Sequence, residues 1–281
     1  MKTLSLIFTF CCFVIQLSAQ KPDIQKIAEA IQDEGETLYR SEWASWYGTD
    51  IFLDKCKDKR DKIAGYLSYD SGKGLVNIFF SKGDDPRILA TTTFDYGFDR
   101  EKYVLDTTGR SLTKYEKELH NIRQVVIAAI KTDTIYKHFN NARLNPVPLI
   151  YKGVKKVYVL TGPNVNGVVL FGNDYLITFN KKNEIVSTTK LHNSLISIKV
   201  DNNPADSSKR QVTSIHNHVK GKDEFITVTD ICTLMLYKKF TTWQNSIVVS
   251  NDYTSIWDCE KNKLVILTTD AVKRISADDK K

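Results

Sequence analysis

Short β-favouring runs, each closed by a segment rich in Gly, Asn, Asp or Pro, recur along this chain and restrict it to folds built from hairpins plus a few helices. Runs at 64–70, 75–81 and 87–94 are separated by Ser71-Gly72-Lys73-Gly74 and Gly83-Asp84-Asp85-Pro86, which predicts an antiparallel meander. In the second half, runs at 156–160, 168–171, 175–179 and 184–191 are broken by Gly162-Pro163-Asn164, Gly172-Asn173-Asp174 and residues 180–183. A further run, 210–215, leads into His216, and three more follow at 246–250, 253–257 and 264–267. Helical spacing is confined to a few places. Ile24, Ile27, Ile31 and Leu38 predict an amphipathic helix from Pro22 to about Arg40. Thr113 with Glu116 forms a capping-box signature ahead of the apolar face Leu119, Ile122, Val126 and Ile130. A third helix is expected from about Thr229 to Phe240, and a short one at the C-terminus. Trp43, Trp46 and Tyr47 read as inter-element packing, with a ligand platform as the alternative, and His120, one position off an apolar face, is given no role. This order of elements is α+β with a mixed or antiparallel sheet. The segment Asn145-Pro146-Val147-Pro148 cannot continue a helix and marks the expected boundary between an N-terminal region, 20–150, and a C-terminal domain, 151–281.

The first 19 residues carry a different signal. Lys2, an apolar stretch from Leu4 to Ile15, and the small-residue exit Leu17-Ser18-Ala19 follow the order of a secretory signal peptide. A dozen apolar residues fall short of the roughly 20 that span a bilayer. The expectation is therefore an exported protein, periplasmic or extracellular, without a transmembrane segment. Cys11 and Cys12 lie within the apolar stretch rather than at its exit, which argues against a lipid-anchored cysteine. About 260 residues remain, enough for one large domain or two small ones. The formal charge of +7 comes from lysines scattered among acids, so no basic stripe points to nucleic acid. Cys56, Cys232 and Cys259 are odd in number and lack a CxxC spacing, which predicts burial as small apolar residues and leaves room for one disulfide.

Chemistry concentrates near the C-terminus. Two of the five histidines fall in His216-Asn217-His218, at the end of a predicted strand, where residues two apart share a face. Asp230 follows twelve residues after His218, at the start of a predicted helix. Two imidazoles and one carboxylate with an open position are a catalytic zinc set, and zinc held in this way lowers the pKa of its water to near 7. The Thr227 hydroxyl, three residues before Asp230, is placed to support an oxyanion. The same two residues are also what a metal-free helix N-terminus looks like.

His216-x-His218, eight residues, then Thr227-x-x-Asp230 resembles the motif of the JAMM (JAB/MPN) metallopeptidases, which is His-x-His, seven residues, then Ser-x-x-Asp. The resemblance spans at most residues 156–268. It implies a JAMM-like mixed α/β domain, Zn²⁺ held by His216, His218 and Asp230, and hydrolysis of a peptide or isopeptide bond. It also implies a peptide or protein partner, still unidentified. Where the family carries its general-base glutamate, ahead of a Gly-apolar-Gly segment, this chain has Asn164 before Gly167 to Gly172. An asparagine side chain does not take a proton from zinc-bound water at neutral pH. Glu184 is the alternative base, several positions early. A binding or structural module of the cell envelope with the JAMM-like fold but no catalysis is the second expectation.

Overall fold

The structure is a computed structural model that describes residues 23–200, 213–217 and 224–278; residues 1–19, read above as a signal peptide, lie outside the described residues. Asp23 accepts a hydrogen bond from the Lys26 amide and caps α1 (Ile24–Lys55), which ends where the Cys56 amide donates to the Phe52 carbonyl. The helix runs well past Arg40 and absorbs Trp43, Trp46 and Tyr47. Trp43 packs edge-on against Phe94 and Phe98, so Trp43 serves inter-element packing.

After a 3₁₀ turn, β1 (Ile63–Asp70), β2 (Leu75–Ser81) and β3 (Arg87–Phe94) form the expected meander, extended by β4 (Tyr103–Asp106) and β5 (Arg110–Ser111), both on β3. All its pairings are antiparallel. Thr113 and Glu116 make the predicted capping box of α2 (Lys114–Thr132), and Arg110 grips the Glu116 carboxylate at 2.7 and 2.8 Å. His120 lies edge-on against Phe80.

The second sheet runs in the order β10 (Ile185–Lys190), β9 (Tyr175–Phe179), β7 (Val154–Pro163), β6 (Ala142–Tyr151) and is antiparallel. The segment Asn145 to Pro148, expected at a boundary, lies inside β6. An edge strand tolerates this, because two prolines two residues apart leave their missing donors on the unpaired side. In agreement, the Pro146 carbonyl turns away from β7 and accepts from Arg123 on α2.

A further antiparallel pair joins β8 (Val168–Gly172) to β11 (Leu195–Lys199). The last sheet has the order β12 (Thr213–Asn217), β13 (Asn245–Val249), β14 (Tyr253–Asp258), β15 (Lys263–Thr268). Here β12 runs parallel to β13, with α3 (Val228–Tyr237) as the crossover, and α4 (Thr269–Asp278) follows β15. The protein is thus α+β, with antiparallel pairing everywhere among the described strands except at β12 and β13.

Helix α1 serves two cores. Its first turns place Ile24, Ile27, Ala28 and Ile31 against a cluster that includes Ile231, Trp257, Leu264 and Ile266. Further along, Leu38, Trp43 and Ala44 join Leu75, Phe94, Val147, Tyr158 and Cys232. Each fully buried Leu, Ile or Phe stabilises the fold by roughly 1.5–3 kcal/mol. Between the two cores α1 meets α3 at Gly35, where an added Cβ would stand 2.8 Å from Cβ and Cγ2 of Ile231. Cys56, Cys232 and Cys259 are all buried and free. No described helix is long and apolar enough to cross a membrane.

Candidate functional site

The first turn of α3 builds the floor of the site. The Thr227 hydroxyl accepts from the Asp230 amide at 3.1 Å and donates to Asp230 Oδ2 at 2.8 Å, while the Thr227 amide donates to the same oxygen at 3.0 Å. This capping box fixes the carboxylate at the positive end of the helix. The approach to it is pinned as well, since the Ile226 amide donates to Ser255 Oγ on β14.

Three further groups reach this carboxylate or its surroundings. From β12, the parallel neighbour of β13, His216 Nε2 comes to 3.8 Å from Asp230 Oδ2. From the segment after β10, His192 Nε2 lies 3.3 Å from Asp230 Oδ1 and 3.4 Å from Thr227 Oγ1. On the other side of the same ring, Nδ1 stands 3.7 Å from Asp174 Oδ2. His192 thus lies between two carboxyl groups. Asp174 enters through a left-handed turn: Gly172 has φ 94° and a Cβ there would strike the Ser194 carbonyl oxygen. The next residue, Asn173, is held by the Lys137 carbonyl, the Thr161 hydroxyl and the Tyr175 hydroxyl. Asp174 itself accepts from the Thr161 amide at 2.8 Å.

Burial and neighbours push the two carboxyls in opposite directions. Asp230 is 1% exposed, and that burial alone would raise its pKa; the facing imidazoles of His192 and His216 outweigh it and hold the group well below the usual 3.8. For Asp174, 4% exposed, burial prevails and lifts the carboxyl to about 6 against the pull of His192, the Thr161 amide and the Thr229 hydroxyl, with the charge of Asp230 adding to the rise. Negative charge is therefore concentrated on Asp230. Asp174, lifted to about 6, is a buried carboxyl whose ionisation is shifted toward neutrality.

The structure brings together three of the residues singled out from sequence, namely His216, Thr227 and Asp230; His218 lies outside the described residues. It does not bring Glu184 to them. Glu184 is exposed in the turn joining β9 and β10, where it accepts from Asn180, at the end of that hairpin opposite to Asp174 and His192. Asn164 lies in the turn before β8, and Asp174 follows the far end of that strand. Two members of the site, His192 and Asp174, have no spacing relation to the His-x-His tripeptide. Hairpin pairing joins them, because Lys190 faces Tyr175 and the Leu191 amide donates to the Asp174 carbonyl. Counting outward from the turn at 180–183 pairs Asp174 with Thr189, two residues short of its observed partner Leu191, and one of the two comes from a bulge between Ile185 and Ser187.

The donors can be tested against zinc. Nitrogen and oxygen ligands of a tetrahedral zinc with bonds of 2.0–2.1 Å stand about 3.4 Å apart. The 3.8 Å between His216 Nε2 and Asp230 Oδ2 leaves these two able to share one cation after a small adjustment. Among the described residues, no group of three or more His, Cys, Asp and Glu side chains is assembled as a metal cage. A scan against protein-family models, a search of curated proteins and a search of solved structures found no match to this chain.

Proposed function

We propose that this chain is an exported protein whose C-terminal half is a JAMM-like module. In this reading it holds a divalent cation, zinc, on His216, His218 and Asp230, and it acts by binding a peptide or protein partner rather than cleaving one. The observation that carries the reading is the approach of His216 to the capped carboxylate of Asp230 across a strand–helix–strand unit with β12 parallel to β13. That is the arrangement the His-x-His and Thr-x-x-Asp spacing implies. Zinc bound by two imidazoles and a carboxylate supplies a Lewis acid and a water acidified to about 7. The chain's own residues then decide what is done with it. Thr227 fixes the orientation of Asp230 and, with His192, surrounds its oxygens. A hydrolase would also need a carboxylate within one water of the cation. Glu184 is at the other end of its hairpin, Asn164 is not an acid, and Asp174 is separated from Asp230 by the His192 ring, which favours a binding module of the cell envelope.

Metal analysis of the mature protein, expressed with its leader and dialysed, tests this. The wild type should retain near-stoichiometric zinc and a His216→Ala, His218→Ala double variant should lose it, while neither hydrolyses peptide or isopeptide substrates. Equal and negligible zinc in both proteins would end the cation reading. Hydrolysis that stops on adding a chelator would replace the binding module by a peptidase. Sequencing of the exported protein should give an N-terminus at Gln20.

A further inference from the structure

A cavity of about 390 Å³ opens between α1, the turn joining β7 to β8, and the end of α3. It is separate from the cluster around Asp230 and does not depend on the cation reading. One wall is aromatic: Trp46 meets Tyr237 edge-on at 5.3 Å, and Tyr237 meets Phe240 at 6.3 Å. The facing wall is aliphatic, with Val165, Val168 and Val169. Phe240 and Val165 are 49% and 43% exposed, so two large apolar side chains stand in water at the rim of the same hollow. Apolar groups gathered around a concavity mark a place where an apolar body leaves water.

Among the described residues the charge at this hollow has one sign. Arg143, exposed on β6, lines it, and its guanidinium makes no hydrogen bond or ion pair among the described residues. None of the described residues lining it is acidic. Arg143 does influence the buried Glu42, but that carboxylate accepts its hydrogen bond from Asn145 at 2.8 Å. A planar guanidinium beside apolar walls suits a carboxylate, which it can hold through two parallel hydrogen bonds. The volume falls within the range of small-molecule pockets and is too small for a helix about 10 Å across.

We infer that this cavity binds a small amphipathic carboxylate, its aromatic or aliphatic body packed between Trp46, Tyr237 and the valines and its carboxylate on Arg143. Neutral amide analogues lack the carboxylate that Arg143 would recognise.

Calorimetric titration of the mature full-length protein with 3-phenylpropionate, indole-3-propionate and octanoate, each beside its neutral primary amide, tests the inference. At least one acid should bind saturably with a Kd below about 1 mM and exceed its amide by about tenfold, as a charge-assisted hydrogen bond at a partly wet site provides. Arg143→Met, which keeps the aliphatic stem, should bring acid and amide to equal affinity. Val165→Trp, filling the cavity from its exposed rim, should abolish binding of both. Val165→Trp should melt like the wild type, and Arg143→Met should do so in acid, where Glu42 is protonated and the charge of Arg143 no longer acts on it. The inference is overturned if acids and amides bind the wild type equally. It is also overturned if Arg143→Met leaves the preference intact, or if none of the three acids binds below about 1 mM.

Discussion

Glu42 sits in the middle of α1 with 4% of its surface exposed. Burial raises its pKa from the ordinary 4.5 to about 7, although Arg123, Arg143 and the Asn145 amide all pull the other way. The folded protein therefore binds this proton more tightly than the unfolded chain does. A stabilising contribution from Glu42 is fully present below pH 4.5 and is lost as the pH rises through about 7. The gap corresponds to about 3 kcal/mol. Glu42→Gln keeps the acceptor for Asn145 and removes the titration. Relative to the wild type, this variant should gain stability steadily between pH 4.5 and about 7 and stay level outside that window. Denaturant unfolding at several pH values reads this directly; parallel curves for the two proteins would show that Glu42 stays ionised without penalty. At this scale the sequence was informative only where function and structure are local. Thr227 and Asp230 could be read from their spacing as a helix N-terminus, and they form the capping box that orders α3. His192 and Asp174 could not, since only the pairing of β9 with β10 brings them to the same end of a hairpin.

Helices α1 and α3 approach so closely that glycine is required at one point of contact. In an exposed helix, Gly→Ala is stabilising by roughly 0.5–1 kcal/mol. At Gly35 the new methyl would meet Ile231 Cβ and Cγ2 at 2.8 Å, within a buried contact of two helices that have little freedom to separate. Gly35→Ala should therefore destabilise the protein by about 1–3 kcal/mol, the range typical of overpacked cores. Ile231→Ala should cost less in the Gly35→Ala background than alone, a coupling that a double-mutant cycle in urea measures. A more stable Gly35→Ala protein would mean that α1 and α3 do not meet here. The elements themselves were legible to unequal degrees. Strands β1 to β3, β7 to β10 and β13 to β15 follow from alternation between turns, and α2 from its capping box. The periodic apolar face of α1 stops near Leu38, but the helix does not, because Ser41 to Ser45 are all buried and five consecutive buried residues erase a one-sided pattern. The prolines of β6 concealed a strand for the opposite reason: a breaker is tolerated at the edge of a sheet.

For the molecule as a whole, the consequence of α1 serving two cores is that the C-terminal half is not complete by itself. A fragment beginning at residue 151 would carry β7 to β15 and α3, yet it would present to water the surface against which Ile24, Ile27, Ala28 and Ile31 pack. That surface includes Ile231 at the α3 contact, with Trp257, Leu264 and Ile266 behind it, all buried in the intact chain. Two backbone-linked contacts would go as well, since the Gln32 side chain accepts from the Leu264 amide and donates to the Asn262 carbonyl at the turn into β15. Losing three isoleucines and these polar ties removes several kcal/mol from a fold whose total stability is expected to be about 5–15 kcal/mol. The fragment 151–281, which also loses β6 from its place beside β7, should therefore lack a cooperative thermal transition and bind a hydrophobic dye, and a synthetic peptide of residues 23–55 added in trans should restore a transition to the fragment 142–281, which keeps β6. A sharp melt of the isolated fragment within a few degrees of the full chain would show that α1 only rests on this sheet. If the peptide does restore folding, the same mixture also tests the proposed cation binding. Zinc bound by fragment plus peptide but not by fragment alone would mean that α1, through its contact with α3 at Gly35, sets the position of Asp230.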